Sequence, residues 1–494
     1  MSPILQLRTL SPSSICLLGL ATVTIYVLAK CAHLLFFHPL AKYPGPKLAA
    51  VTQLWQIWLS FTGRQCFVMT DLHRKYGDVV RVGPNSLSFS TPQSYRDIYG
   101  HVTHGKKRFL KNKWYEADEP RIVRVRDPVV HAEQRRTLSH AFSAHALRDQ
   151  EDVVHHYVDL LLKQLNSLGA GGKIAVNATE VWNWLTFDVI GDLAFGEPFG
   201  CLSGGSSHEV SVNFDYLMYS AGRRAARNLG PVLGGLFLRW CFSKRMIENH
   251  DEHIRISKDK AKRRMDRGSL GRYDFFDHLI KNGTLTEDAL MGNADTLIIA
   301  GSETTATALS GLTWYLLNNP SCLRQLTDEI RGAFNSPDEI TGDATAALPY
   351  LHGCIEEGLR VFPPLAFGLP RDCPGAVIDG HFIPEGTIVA NENYAMTFDP
   401  RYWVDPTSFR PERWIGEGFA GDDKRAFQPF SSGPRGCLGI NLAYLEMRVS
   451  VAKLLWAFDL ESASDVQDWN SACKNHILWK KPDLNVRFHP RAAV

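Results

Sequence analysis

The 494-residue chain is 45% apolar and 21% charged, enough to bury a large core, and its 54 basic and 52 acidic residues leave a formal charge of only +2. That balance gives no global attraction to a polyanion, so no nucleic-acid partner is expected. Ten cysteines are scattered without a Cys-x-x-Cys pair, which argues against a zinc cluster, a thioredoxin-like centre and a disulfide framework.

The first element is Ile15–Phe37, apolar except for Thr22, Thr24, Lys30 and His33. As a helix it spans roughly 34 Å, enough for a bilayer core, and Lys30 near one end can snorkel to the headgroups. A cleaved secretory signal would use Ile15–Ala29, but no clear small-x-small site follows, so a retained anchor is expected. Lys30, Lys42 and Lys47 after the segment outweigh Arg8 before it, which places the body on the cytoplasmic side. The Asn-x-Thr sequons at Asn177 and Asn282 are therefore expected to stay unmodified.

Next comes a proline-rich strip, His38–Pro46, read as a stiff hinge. The expected organisation is an anchor over 1–38, a hinge over 39–47 and one body over 48–494. Asp78–Val82 and Ser86–Phe89 alternate like paired strands around a Gly83-Pro84-Asn85 turn. From about His131 to Phe362 the pattern is mainly helical. Asp288–Asn319 stands out: it has helical periodicity and no proline before Pro320, a length of about 48 Å, and a possible capping box from Thr284 and Glu287. Leu229–Trp240 is apolar and glycine-rich; it could touch a membrane surface, but a buried interhelical loop is the commoner meaning. Another helix opens at Pro349 and must stop before Pro363-Pro364. Ala376–Ile383 reads as a hairpin with an Asp-Gly turn, and Ile440–Phe458 as a helix. The fold class is mainly α with a small β-rich portion.

The most specific motif is Phe430-Ser431-Ser432-Gly433-Pro434-Arg435-Gly436-Cys437-Leu438-Gly439. A glycine-rich loop leaves backbone N–H groups free to approach the sulfur, and these donors and positive potential keep a thiolate ionised. All five fixed positions match the Phe-x-x-Gly-x-Arg-x-Cys-x-Gly loop of the cytochrome P-450 family, which the whole chain resembles. The resemblance implies a haem-thiolate fold, haem b as cofactor and Cys437 as axial ligand. A thiolate on haem iron favours O–O cleavage. Phe430, Gly433 and Gly439 would shape the loop, Gly439 letting the following helix approach the ring.

Glu357-Gly358-Leu359-Arg360 resembles the family's Glu-x-x-Arg, and Phe409–Trp414 its Pro-Glu-Arg segment. Arg413 would complete a structural ion-pair network with Glu357 and Arg360. Ala300-Gly301-Ser302-Glu303-Thr304-Thr305 looks like the family's oxygen-activation motif, with Glu303 as acid and Thr304 as alcohol. A helix puts Ala300 and Thr304 on one face, so the hydroxyl can reach the Ala300 carbonyl and loosen the ladder beside Gly301. The haem propionates call for cations: Arg435, Arg135, Arg371 and His131, the last standing where the family's Trp-x-x-x-Arg segment has tryptophan. Met396–Pro400 departs from the family in lacking His-Arg before Asp-Pro.

Trp182–Asp188 and Pro429–Arg448 resemble filamentous-fungal members that oxidise terpenoid or polyketide secondary metabolites, such as trichothecene hydroxylases. The resemblance implies a monooxygenase in the endoplasmic reticulum membrane. It would act on an apolar small molecule with O₂ and with electrons from NADPH through a separate NADPH–cytochrome P-450 reductase. A haem-thiolate isomerase or dehydratase working without O₂ is the alternative; Glu303-Thr304 argues against it. A membrane-anchored binding protein would leave the residues around Cys437 unexplained.

Overall fold

A computed structural model describes residues 11–102, 107–116, 121–205, 208–268, 274–276, 287–463 and 469–491. Thr284 and Asn282 lie outside these, so the capping box and one sequon stay with the sequence. The other sequon residue, Asn177, caps a helix through Thr179 N–H and donates to Asp483 at 2.9 Å.

Helix Glu287–Asn318 runs through the middle of the body. Three of its buried hydroxyls are satisfied along the helix itself: Ser302, Ser310 and Thr313 each donate to the carbonyl four residues back. It packs against helix Ala178–Phe195, in which every residue but Glu180 is buried. Helices Pro349–Val361 and Ile440–Ala457 complete the core; the latter stops one residue short of expectation because Phe458 opens a strand.

The β structure is peripheral. Val79–Gly83 and Ser86–Phe89 pair antiparallel as read from their alternation. They continue through Ile388–Asn391, Arg371–Asp372 and Leu110–Lys111 into a five-stranded sheet, with one parallel pairing between Ser86–Phe89 and Ile388–Asn391. Val176–Asn177, Asn485–Pro490 and Phe458–Ser462 form a second sheet. Ala376–Ile378 and His381–Ile383 close on Asp379 and Gly380, both at positive φ, as an Asp-Gly hairpin turn requires.

The N-terminal apolar helix spans Pro12–Ala32 and ends in a π-helical turn, His33–Phe37. By length and composition it can cross a membrane, and none of its most apolar window is buried in the protein. Thr22 and Thr24 donate to the Leu18 and Leu20 carbonyls, so their hydroxyls are satisfied without water. The proline-rich strip is docked more firmly than a hinge: Leu40 and Tyr43 are buried, and a Cβ on Gly45 would stand 2.2 Å from the Arg81 carbonyl oxygen.

One expectation is overturned. Leu229–Trp240 is no buried loop, because Pro231–Cys241 is a helix with Val232, Leu233, Leu236 and Trp240 exposed. Pro231 occupies the helix start after a Gly230 at positive φ, which turns the chain outward. Phe237 packs on Phe61 of helix Leu54–Thr62, where Leu54 and Trp58 are exposed too.

Candidate active site

Cys437 follows the short 3-10 turn Gly433–Arg435, and its N–H donates to the Phe430 carbonyl at 2.8 Å. Gly433 has φ +70°, and a Cβ there would come 2.2 Å from the Tyr99 carbonyl oxygen, so only glycine fits. Phe430 lies against Tyr444, with ring centroids 5.1 Å apart. Protein closes around the Cys437 side chain on most sides, yet the residue remains accessible; Cys66, Cys201, Cys322, Cys354, Cys373 and Cys473 are all buried. Burial pushes the Cys437 thiol up, while the Gly439 N–H and the Arg135 charge pull it down. A Cβ on Gly439 would meet only ordinary contacts, with Phe142 at 3.9 Å, so no protein neighbour demands glycine there.

Arg135, His131, Arg371 and Arg435 line one cavity of about 1150 Å³, joined by Arg96, Lys107, Arg108 and Arg136. Asp97 is the only carboxylate among the described lining residues, and it accepts from the Asp379 N–H. Arg435 rests on the Val125 and Arg126 carbonyls, Arg135 on the Gly436 carbonyl, and Arg371 on the Pro370 carbonyl and the Tyr99 ring. The mutual repulsion is visible in their acidities. Burial, then Arg371, brings Arg435 down to about 10; burial, then Arg435 and Arg371, brings nearby Lys111 down to about 6. Burial and four cations hold His131 at about 3. A cavity with this many cations and one engaged carboxylate suits an anionic occupant. With an accessible thiol two residues from Arg435, these residues fit haem b: a thiolate for iron and guanidiniums for two propionates.

In the long helix Ser302 and Glu303 are buried, yet Ala300 is exposed and Gly301 and Thr304 partly so. Thr304 Oγ1 donates to the Ala300 carbonyl at 2.7 Å, the bond read from their spacing. Gly301 answers to a further neighbour: a Cβ there would stand 2.6 Å from Ile190 Cδ1. Glu303 turns away from solvent, 3.4 Å from Lys481 Nζ, which also donates to Thr307 at 2.9 Å. The helix after Cys437 lies alongside; its Glu446 is buried against Thr305, and burial pushes that carboxyl well above the usual range.

The Glu357 network is assembled as read, with more members. Arg360 donates twice to Glu357, at 2.9 and 2.8 Å, and Arg413 Nε donates to it at 2.9 Å. The Trp414 indole and the Arg410 N–H add two donors, and Asp422 takes the far side of Arg413 at 2.6 Å. Burial alone would raise the Glu357 carboxyl, but Arg360 and Arg413 outweigh it and hold it below its ordinary value. Trp414, Asp422, Lys481 and Glu446 escaped the sequence reading. Trp414 adjoins the Pro-Glu-Arg segment and was within reach; nothing in the sequence links Lys481 to Glu303.

A profile of the cytochrome P-450 family matches residues 44–488. The chain is 42% identical over 476 residues to a cytochrome P-450 monooxygenase, BOA3, of Botryotinia fuckeliana (strain B05.10), covering 92% of each. It is 40% identical to the cytochrome P-450 monooxygenase poxC of Penicillium oxalicum (strain 114-2 / CGMCC 5302), covering 94% of this chain and 92% of that one. It is 37% identical to the trichothecene C-15 hydroxylase of Fusarium sporotrichioides, covering 94% and 96%. The chain therefore belongs to the cytochrome P-450 family and is an oxidoreductase of the monooxygenase type.

Proposed function

We propose that the chain inserts one oxygen atom from O₂ into an apolar fungal secondary metabolite, terpenoid or polyketide, using NADPH electrons from a separate reductase. The observation that carries this is the accessible Cys437 two residues from Arg435, one of the cations lining a cavity whose only described carboxylate is already engaged. Relatives of the same length, one a trichothecene hydroxylase, support the substrate class.

Cys437 would ligate the iron of haem b, and Arg435, Arg135, Arg371 and His131 would hold its propionates. When bound, haem supplies the one-electron and O₂ chemistry. The chain's own part is positional and protic. The open face at Ala300, Gly301 and Thr304 gives room for a small polar guest beside the Thr304 hydroxyl. That oxygen, donating to Ala300, keeps lone pairs free to accept a hydrogen bond and pass a proton on. Glu303 is the acid behind it, held by Lys481. The N-terminal helix would anchor the body to the endoplasmic reticulum membrane on its cytosolic side, with helix Pro231–Cys241 resting on the same surface.

The test is to delete the gene, identify the metabolite that accumulates, and feed it to the purified chain with reductase, NADPH and O₂. One oxygen gained per NADPH consumed supports the reading. Conversion without NADPH would turn it towards an isomerase or dehydratase.

A further inference from the structure

Among the described residues, Arg224 has no acidic ion-pair partner. It lies on helix His208–Leu229 in step with Tyr216 and Ser220 at four-residue spacing, and both of those are buried, so it belongs to the inward face. Its guanidinium stands over the Trp114 ring, 4.5 Å from the centroid. Its Nε is sealed from solvent and donates to nothing. Among the described residues, Arg124 and Arg227 repel it, and the phenols of Tyr216 and Tyr115 favour its charge. Both arginines are already in use: Arg124 donates to the Tyr216 hydroxyl at 3.2 Å and Arg227 to the Glu116 carbonyl at 3.3 Å. Burial first, then Arg124, holds Arg224 down at about 10. Arg224 is half-buried, and its terminal nitrogens are not among the sealed atoms, so they stay open to a partner from outside the chain.

Its position says where that partner sits. Tyr216 meets the long helix at Asp295, 3.1 Å away and five residues before Ala300. Arg224 is eight residues further along its own helix, about 12 Å. Trp114 beneath it packs on Phe367 at 6.3 Å, and the next residue, Tyr115, reaches Arg371. Trp114 is thus next in sequence to a tyrosine that touches Arg371, a residue lining the cation-rich cavity. The aromatic face fixes the guanidinium plane and leaves one edge with two parallel N–H groups. One such edge suits a planar carboxylate; a phosphate would draw on the two arginines already committed.

We propose that Arg224, oriented by Trp114, is the recognition subsite for a carboxylate on the otherwise apolar substrate. This rests on reading the chain as a monooxygenase of small apolar molecules. The probes are apolar monocarboxylic acids of roughly ten to twenty carbons, linear and terpenoid, each paired with its methyl ester. Binding to the full-length haem-loaded chain is measured by equilibrium dialysis, which needs no turnover. At least one acid should bind about tenfold or more tightly than its ester. Arg224→Gln should abolish that preference while ester affinity and haem content stay unchanged, and Arg224→Lys should restore part of it. The subsite is wrong if no acid outbinds its ester, or if Arg224→Gln keeps the preference. It is also wrong if Arg224→Gln sheds haem, which would make Arg224 a propionate partner. NADPH-dependent oxidation of acid and ester alike would sink the subsite but spare the monooxygenase reading. Preferential acid binding without any oxidation would do the reverse.

Discussion

Lys481 Nζ lies 3.4 Å from Glu303 Oε2, and both side chains are buried. The acid proposed to relay protons to Thr304 is thus held by a cation 178 residues further along the chain. Lys481→Met leaves that carboxylate unpaired and should destabilise the fold by about 3 kcal/mol while slowing turnover. Lys481→Arg should recover most of both. Thermal melts beside turnover decide it: an unchanged melting temperature in Lys481→Met would show that the pair contributes nothing.

Thr304→Ala keeps the helix, because alanine is a better helix former, but removes the hydroxyl at the open face. Haem and substrate binding should survive. NADPH should still be consumed, with its electrons appearing as hydrogen peroxide in place of product. The ratio of product to NADPH is the measurement; a variant as well coupled as the parent makes Thr304 a packing residue.

Cys437→Ala should abolish the shifted Soret band of the reduced carbon monoxide complex. Persistence of that band would assign the ligand to another cysteine, and only Cys241 and the anchor cysteines are accessible alternatives among the described residues.

Glu357 sits below its ordinary pKa in the folded chain, so its ionised form is the one the fold favours. Its contribution is therefore complete above the unfolded carboxyl range and is lost as pH falls through the lower folded value. Arg413→Ala should cost about 3–5 kcal/mol at neutral pH by leaving a buried carboxylate under-paired. The deficit should shrink in acid. Urea unfolding across pH checks both signs, and a deficit that grows as pH falls would contradict the account.

His131 is buried and neutral before any anion arrives, and it can still donate an N–H, as the indole in the family's usual residue does. His131→Trp should thus retain haem, whereas His131→Phe should lose it faster. Haem transfer to an acceptor protein measures this; equal rates for the two variants would remove His131 from the propionate set.

What was legible in the sequence follows from how local the cause is. The long helix, the Asp-Gly hairpin and the Thr304–Ala300 bond depend on residues a few positions apart, and all stand as read. The propionate candidates converge on one cavity because motifs carry their neighbourhood with them. Helix Pro231–Cys241 was misread because periodicity says which residues share a face and not whether a protein or a bilayer covers it. Lys481 and Arg224 were invisible for a different reason: a lone cation in sequence looks like any solvated one until tertiary packing strips its water.

Arg81 ties the end of the apolar span to the body. Its guanidinium donates to the Leu34 carbonyl at 2.7 Å in the π-helical turn and to the Pro84 carbonyl at 2.7 Å in the strand turn. Span and sheet therefore move as one lever. In a bilayer thinner than the span, the apolar helix tilts to hide its excess length. With Arg81 as a clamp, that tilt would turn the body with the helix and so shift the exposed Trp240 and Trp58 relative to the proposed membrane surface. On the proposed membrane placement, lipid composition would become a mechanical input to how the body lies on the surface, and Arg81→Ala should uncouple the two.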